Sequence, residues 1–264
     1  MRGFGEIAER LRRSTVQVFS DRRRGGGSGV IWGAGGLILT NAHVARASEA
    51  EVELWDGRRF PATVAARDPR RDLATLRIRG EPLEPIEPGD SDKLRPGELV
   101  IAIGSPLGFA GALSTGVVHS VGALPGMGRQ SWIRADVQLA PGNSGGPLAN
   151  AEGHLIGINT AIVNGLGVAV PVNAAVAFVK RGARPSLGVS LRPVSGGLLI
   201  LEIDPQGAAA AAALRAGDIL LGTFDDLSDA LDSGREVIKL QFFRGDQARV
   251  RETFVQLRTR AEAA

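Results

Sequence analysis

The apolar positions in the first two thirds of the chain fall in short runs separated by Gly, Pro, Asp and Asn. Between about Thr15 and Val172 these runs are VQVF, GVIW, LILT, EVELW, LATLRI, ELVIAIG, WIRADV, HLIGINTAI and VAVPV. Short runs rich in Val and Ile and bounded by turn residues are typical of strands in a sandwich or barrel. The pattern predicts an all-β domain, with a tight hairpin turn at 33–36 between GVIW and LILT.

Helical patterns flank this β-rich segment. Ile7 and Leu11 recur at helical spacing near the N-terminus, which predicts a short amphipathic helix there. A second helical stretch runs from Asn173 to Lys180, and we expect it to close the first domain.

The pattern changes after Gly182–Pro185, whose composition is typical of a linker. Beyond it, LGVSLRPV, GLLILEI, GDILLG, VIKLQFFR and ETFVQLR predict strands. The alanine-rich segment that follows Gly207 predicts a helix with a glycine stop at Gly217. We therefore expect two domains, residues 1–183 and residues 184–264, of which the second is a small α+β unit.

Composition narrows the possible chemistry. The 36 glycines among 264 residues favour turn-rich β architecture over a helical bundle. The absence of cysteine excludes disulfides, thiolate metal sites and a cysteine nucleophile. The N-terminal region has no apolar run long enough for a signal peptide or a membrane span. We expect a cytoplasmic protein if the sequence is complete as given, and a periplasmic one if an export signal has been removed.

Charge allows two interpretations. The arginine clusters at 22–24 and 70–71 are compatible with nucleic-acid binding. However, 31 basic and 28 acidic residues are interspersed, and no stripe of aromatic and basic residues accompanies the clusters. Solvated loop charges are the favoured interpretation, and no nucleic-acid partner is expected.

The segment Gly142 to Leu148, GNSGGPL, is the strongest single chemical signal. A nucleophilic serine that attacks a carbonyl needs backbone N–H groups aimed at the developing oxyanion, in a turn free of bulky side chains. Here the N–H groups of Gly142 and Ser144 are the natural donors. The alternative is a glycine-rich β-turn that merely contains a serine.

A serine nucleophile needs a base, and a histidine base needs a carboxylate. His43 directly follows the predicted strand LILT, and Asp72 immediately precedes the run LATLRI. Alone, Asp72 is more typical of a turn or strand cap. The two other histidines, His119 and His154, are expected to be solvated or structurally hydrogen-bonded. The chain order His, Asp, Ser nevertheless matches the chymotrypsin-like arrangement.

With these motifs in place, the sequence resembles the HtrA (DegP/DegS-like) family of serine proteases. TNAHV, RDLA and GNSGGPL look like its catalytic motifs, and GSGVIW, VIAIGSPLG, LIGINTAI and GVAVPVN also match. The resemblance implies a chymotrypsin-like double β-barrel, with a catalytic triad of His43, Asp72 and Ser144. It also implies an oxyanion hole formed by residues 142–144, Gly142, Asn143 and Ser144, and a C-terminal PDZ domain.

The same resemblance implies two binding sites. Leu139, Val163 and Leu166 would line an apolar pocket without an acidic residue, which predicts a preference for small aliphatic side chains before the scissile bond. The PDZ carboxylate-binding loop would comprise three residues that would receive a peptide C-terminus as an added strand: Leu187, Gly188 and Val189.

Other features bear on assembly and regulation. The family suggests a homotrimer with an aromatic contact at Phe4. The segments that stand where the family carries regulatory loops, Asp21–Gly27 and Val163–Leu166, are short, which puts regulated switching in doubt.

The sequence thus predicts a serine endopeptidase that cleaves unfolded or misfolded proteins through an acyl-enzyme, without metal or cofactor. The competing hypothesis is a peptide-binding, chaperone-like protein whose protease site is inactive or resting.

Overall fold

The computed structural model describes residues 3–20, 26–80, 82–105, 111–181 and 186–257. The chain forms two compact units, Met1–Gly182 and Ala183–Ala264. The proposed linker 182–185 and most of the short loop Asp21–Gly27 lie outside the described residues. Within the described ranges, no helix is long and apolar enough to span a membrane.

The first six strands close into a barrel with the order β1-β2-β3-β6-β5-β4. Their inward-facing apolar side chains, such as Val18, Ile38 and Leu76, are fully buried in a shared core. The strands are β1 (Thr15–Phe19), β2 (Gly26–Gly33), β3 (Leu37–Thr40), β4 (Glu49–Glu53), β5 (Arg59–Asp68) and β6 (Leu73–Ile78).

The next six strands close into a second barrel, β10-β11-β12-β9-β8-β7, which repeats the strand order of the first. Between the barrels lies a short 3₁₀ helix, Ser91–Lys93. The strands are β7 (Leu99–Gly104), β8 (Ala112–Ala123), β9 (Ser131–Asp136), β10 (Pro147–Asn150), β11 (Leu155–Val163) and β12 (Leu166–Pro171). The expected double β-barrel is confirmed.

Two helices complete the first unit, as the sequence pattern predicts. Helix α1 (Phe4–Arg13) buries Ile7 and Leu11 in a core that also contains strand residues of both barrels. Helix α2 (Val172–Arg181) adds the buried Phe178 to the same core. Both helices are amphipathic, and burial of their apolar faces supplies the tertiary packing that short helices need.

The second unit contains a five-stranded antiparallel sheet with the order β13-β14-β15-β16-β17 and two helices packed on its core. The elements are β13 (Val189–Val194), β14 (Gly197–Ile203), α3 (Ala208–Ala211), β15 (Ile219–Leu220), α4 (Phe224–Asp232), β16 (Val237–Arg244) and β17 (Asp246–Gln256).

The helices of this second unit differ from the prediction. The alanine run forms only a single turn, α3, because Ala213 adopts a left-handed φ of 59° and the chain then turns to bury Leu214. Helix α4 was not predicted. It carries a detectable signal, a capping box in which Thr223 and Asp226 exchange hydrogen bonds between side chain and backbone.

Candidate active site

The topology of the first barrel brings His43 and Asp72 together. His43 follows the end of β3, and Asp72 immediately precedes β6. These strands pair antiparallel, with Thr40 opposite Ala74, so the end of β3 and the start of β6 lie at the same edge of the barrel. Two residues that are 29 positions apart are therefore neighbours.

His43 and Asp72 form a doubly hydrogen-bonded pair. The Nδ1 atom of His43 lies 2.7 Å from Asp72 Oδ2, and the His43 backbone N–H donates to Oδ1 at 3.0 Å. The hydroxyl of Thr160, on β11, also donates to Oδ2. The imidazole is 41% exposed and the carboxylate 20% exposed. The carboxylate thus orients the imidazole through Nδ1 and leaves the Nε2 atom of His43 free to accept a proton.

Asp72 adopts an uncommon backbone conformation, with a φ of 54°. A non-glycine residue in the left-handed region carries a cost that its surroundings must offset. Asn41 supplies one such contact, since its side-chain Nδ2 donates to the backbone oxygen of Asp72 at 2.8 Å. Asn41 is fully buried, and its Oδ1 has no hydrogen-bond partner among the described residues.

Ser144 lies in the loop between β9 and β10 of the second barrel, directly after a tight turn. The N–H of Asn143 donates to Ala140 O at 3.0 Å, which closes the turn, and Gly142 has a φ of 108°. Proline in the second position and a positive φ in the third are the pattern of a type II turn. Pro141 and Gly142 satisfy both requirements.

The backbone amides of this turn differ in their availability. Within the described part of the chain, neither Gly142 N nor Ser144 N has a hydrogen-bond acceptor, whereas Asn143 N is engaged by Ala140 O. The implied oxyanion hole of Gly142, Asn143 and Ser144 is therefore reduced to two free donors, since Asn143 offers no free amide.

The glycines that follow Ser144 are required by close packing. Gly145 has a φ of 87°, and a Cβ atom there would lie 2.0 Å from the backbone oxygen of Ser28. A Cβ atom at Gly146 would lie 2.3 Å from the backbone oxygen of Ile103. The GNSGG loop can therefore lie this close to the strands beneath it only because these two positions are glycine.

Thr160 connects two of the three expected triad residues, Asp72 and Ser144, and was not identified from the sequence. It lies at a register shift between Asn159 and Ala161 on β11, and such bulges re-aim side chains. Its hydroxyl donates to Asp72, and its backbone oxygen accepts the hydroxyl of Ser144 at 3.2 Å. Among the described contacts, the Ser144 hydroxyl bonds to Thr160 O and not to His43.

The other two histidines have structural contacts at the surface. His119 Nδ1 lies 3.2 Å from Ser120 Oγ, and His154 Nε2 lies 3.4 Å from Glu87 Oε2. No described contact joins either of them to the triad residues.

A cavity of about 450 Å³ borders the serine turn and touches Asn143. Of the three expected pocket residues, only Leu139 lines it. Val163 and Leu166 are not part of this lining, and Val163 packs against the core that contains residues of α1 and α2. The lining includes Leu113, Val137, Leu139, Ile162, Ser114 and the exposed Asp136.

In the second unit, the segment Leu187–Val189 precedes and begins β13. Leu187 is buried and Gly188 has a φ of 70°. The backbone oxygens of both residues accept internal bonds, from Ala209 N and Asp204 N. The Gly188 amide donates to the exposed hydroxyl of Ser186 at 3.1 Å.

Two six-stranded barrels, with a His–Asp pair on one and a serine in a glycine turn on the other, define the class of chymotrypsin-like serine peptidases. Residues 27–158 match the family model described as trypsin-like peptidase domain. The chain belongs to this trypsin-like peptidase family, in its HtrA branch.

Individual relatives support this assignment. A probable periplasmic serine endoprotease, DegP-like, from Halomonas elongata is 38% identical over 245 residues, which cover 82% of this chain and 52% of the relative. The putative serine protease HhoB from Synechocystis sp. is 39% identical over 236 residues, 76% of this chain and 56% of the relative. The chain thus spans about half the length of these relatives.

Solved structures match over nearly the whole chain. The HtrA-type protease AlgW with decapeptide superposes with a TM-score of 0.67 and 26% identity, and the match covers 97% of this chain and 99% of that one. The serine endoprotease from Yersinia pestis gives a TM-score of 0.66 at 26% identity, over 97% and 98% of the two chains.

Proposed function

We propose that this chain is a serine endopeptidase that cleaves unfolded or misfolded polypeptides through an acyl-enzyme. In this reaction Ser144 Oγ attacks the peptide carbonyl while His43 takes its proton, and Asp72 stabilises the resulting imidazolium. The Gly142 and Ser144 amides hold the oxyanion. His43 then returns the proton to the leaving amine and activates the water that hydrolyses the ester. No step requires a cofactor or a metal.

One observation carries the proposal. Asp72 lies 2.7 Å from His43 Nδ1 through its Oδ2 atom, and the same oxygen accepts the hydroxyl of Thr160, whose backbone oxygen accepts the hydroxyl of Ser144. In the turn of that serine, the amides of Gly142 and Ser144 have no acceptor among the described residues. An oxyanion site requires two such N–H groups that converge on one point and carry no internal acceptor.

The test is digestion of unfolded casein by the wild-type protein and by Ser144→Ala, each at several protein concentrations. We expect the variant to lose nearly all activity, because the acyl-enzyme needs the hydroxyl. Wild-type activity that rises more steeply than concentration would indicate that catalysis depends on assembly. Equal digestion by Ser144→Ala would refute the assignment.

The bond from the Ser144 hydroxyl to Thr160 O favours a second candidate, a peptide-binding, chaperone-like protein with a resting protease site. In a competent site the hydroxyl donates to His43 instead. Labelling by a fluorophosphonate separates the two functions, because only an activated serine reacts. Absence of labelling together with suppression of substrate aggregation would support the chaperone-like function.

The cavity beside the serine turn supports a preference for aliphatic side chains before the scissile bond. Leu113, Val137, Leu139 and Ile162 provide apolar lining, and the exposed Asp136 is the feature that would instead attract a basic side chain. A peptide library resolves the two: cleavage mainly after Val, Ile or Ala is the expected result, and cleavage mainly after Arg or Lys would contradict it.

We further propose that the second unit is a PDZ domain that takes a peptide C-terminus at Leu187, Gly188 and Val189. The Gly188 amide is satisfied only by an exposed neighbouring hydroxyl, which a carboxylate could replace. Binding of a peptide with a free C-terminus, but not of its C-terminal amide, tests this. We also propose that the protein resides in the periplasm, because relatives are named periplasmic. A homotrimer with a contact at Phe4, which is 53% exposed, stays a prediction.

A further inference from the structure

Ser28, on β2 of the first barrel, contacts the serine turn of the second barrel with its side chain. It is fully buried, and its hydroxyl donates to the backbone oxygen of Gly142 at 2.7 Å. The same hydroxyl accepts a bond from Ser105 N at 2.9 Å, just after β7. One buried hydroxyl on the first barrel is thus bonded to two segments of the second.

The backbone of Ser28 extends this connection to both halves of the site. Its N–H donates to Ser144 O at 2.7 Å. Its carbonyl accepts the hydroxyl of Thr40 at 2.6 Å, and Thr40 is the last residue of β3, three positions before His43. A single residue therefore lies between the strand end that positions the base and the loop that positions the nucleophile.

The hydrogen bonds of the turn show which peptide group the Ser28 hydroxyl fixes. The peptide between Gly142 and Asn143 is bonded at both ends: its N–H donates to Ala140 O, and its oxygen accepts from Ser28. The next peptide is fixed by the bond from Gly146 N to Asn143 O at 3.0 Å. Without the Ser28 hydroxyl, the first of these peptides keeps only the bond that closes the turn.

We propose that Ser28 is a positioning residue for the oxyanion hole. Its hydroxyl fixes the turn that carries the hole by bonding to the carbonyl of Gly142. The inference rests on the proposed proteolytic function. Because the hole binds the negatively charged oxygen of the transition state more strongly than the substrate carbonyl, its loosening lowers kcat and leaves KM almost unchanged.

The test compares Ser28→Ala with Ser14→Ala, a matched control. Ser14 is also a buried serine next to the first barrel, and its hydroxyl donates to a backbone oxygen, that of Glu84, at 3.2 Å, away from the catalytic loop. We expect Ser28→Ala to lower kcat by about tenfold to a hundredfold, less than the loss of a whole oxyanion donor, with KM within about twofold. Ser14→Ala should keep the wild-type kcat.

Hydrogen exchange of the segment 140–146 gives a readout that does not depend on activity. We expect faster exchange there in Ser28→Ala and no change in Ser14→Ala, because only the former frees the turn. Ser28→Cys keeps a weaker donor of similar size and should fall between Ser28→Ala and wild type in both measurements. It also replaces Ser28→Ala in the comparison if that variant does not fold.

The outcomes separate this proposal from the proposed function. An inactive wild-type protein refutes the function, and exchange at 140–146 still decides the role of Ser28. An active wild-type protein, with Ser28→Ala matching Ser14→Ala in kcat or with unchanged exchange at 140–146, overturns the positioning role and leaves the protease assignment standing.

Discussion

Replacement of Asn41 by alanine tests whether the Asn41 side chain stabilises the backbone conformation of Asp72. The substitution removes the 2.8 Å bond from Asn41 Nδ2 to the backbone oxygen of Asp72. Loss of a hydrogen bond to a part-buried carbonyl costs about 0.5–1.5 kcal/mol. Asp72, at a φ of 54°, then lacks a contact that offsets a strain of about 1–2 kcal/mol.

These magnitudes set the expected effect on activity. If the catalytic placement of Asp72 loses about 1.4 kcal/mol relative to a relaxed backbone, the ratio of the catalytic to the relaxed conformation falls about tenfold. We therefore expect Asn41→Ala to lower kcat by up to about tenfold and to lower the free energy of unfolding by about 0.5–1.5 kcal/mol. Steady-state kinetics on a peptide substrate and urea denaturation measure the two quantities.

The control is Thr15→Val. The hydroxyl of the buried Thr15 donates to Leu11 O at 2.7 Å, in the same barrel but away from the site. It should lose stability without a change in kcat. If Asn41→Ala loses stability and keeps the wild-type kcat, Asn41 supports the fold and not the catalytic carboxylate, and the reasoning is refuted.

Two further predictions concern charged pairs. Hydrogen bonds from Arg12 and Arg13 lower the pKa of Glu9 from 4.5 to about 2. The ionised Glu9 therefore stabilises the fold fully above pH 4.5, and this stabilisation is lost as the pH falls through about 2. Thermal denaturation between pH 2 and 7 should show this dependence weakened in Glu9→Gln, and identical curves would contradict it. In the second unit, Arg244 bonds both oxygens of the buried Asp218 at 2.7 Å, which raises the pKa of Arg244. Arg244→Met should lower the free energy of unfolding by about 3–5 kcal/mol, with partial recovery in Arg244→Met/Asp218→Leu; no loss on urea denaturation would show that the pair adds nothing.

The barrel architecture could be predicted from the sequence because each strand carries a local signal. Apolar runs and turn residues alternate along the chain, and the core positions follow from that alternation. His43, Asp72 and Ser144 could be singled out for a similar reason, since each lies at the end of an apolar run or within a glycine-rich turn. The fold confirms the strands, and it places the first two residues in contact.

What was missed depends on contacts between distant segments. Thr160 acts through a register shift on β11, which no local pattern marks. The alanine run was overestimated because propensity favours helix, whereas burial of Leu214 ends it after one turn. Val163 was expected in the pocket from the family resemblance, whereas its partly buried side chain packs against the core, just after a register shift on β11.

The repetition of one strand order in both barrels has a consequence for how the protein can be divided. His43 and Ser144 each follow the third strand of their own barrel, so equivalent loops of two similar halves contribute complementary groups. Neither half holds a complete reaction centre. Peptide cleavage by separately produced halves would therefore report their reassociation, and each half alone would be inert.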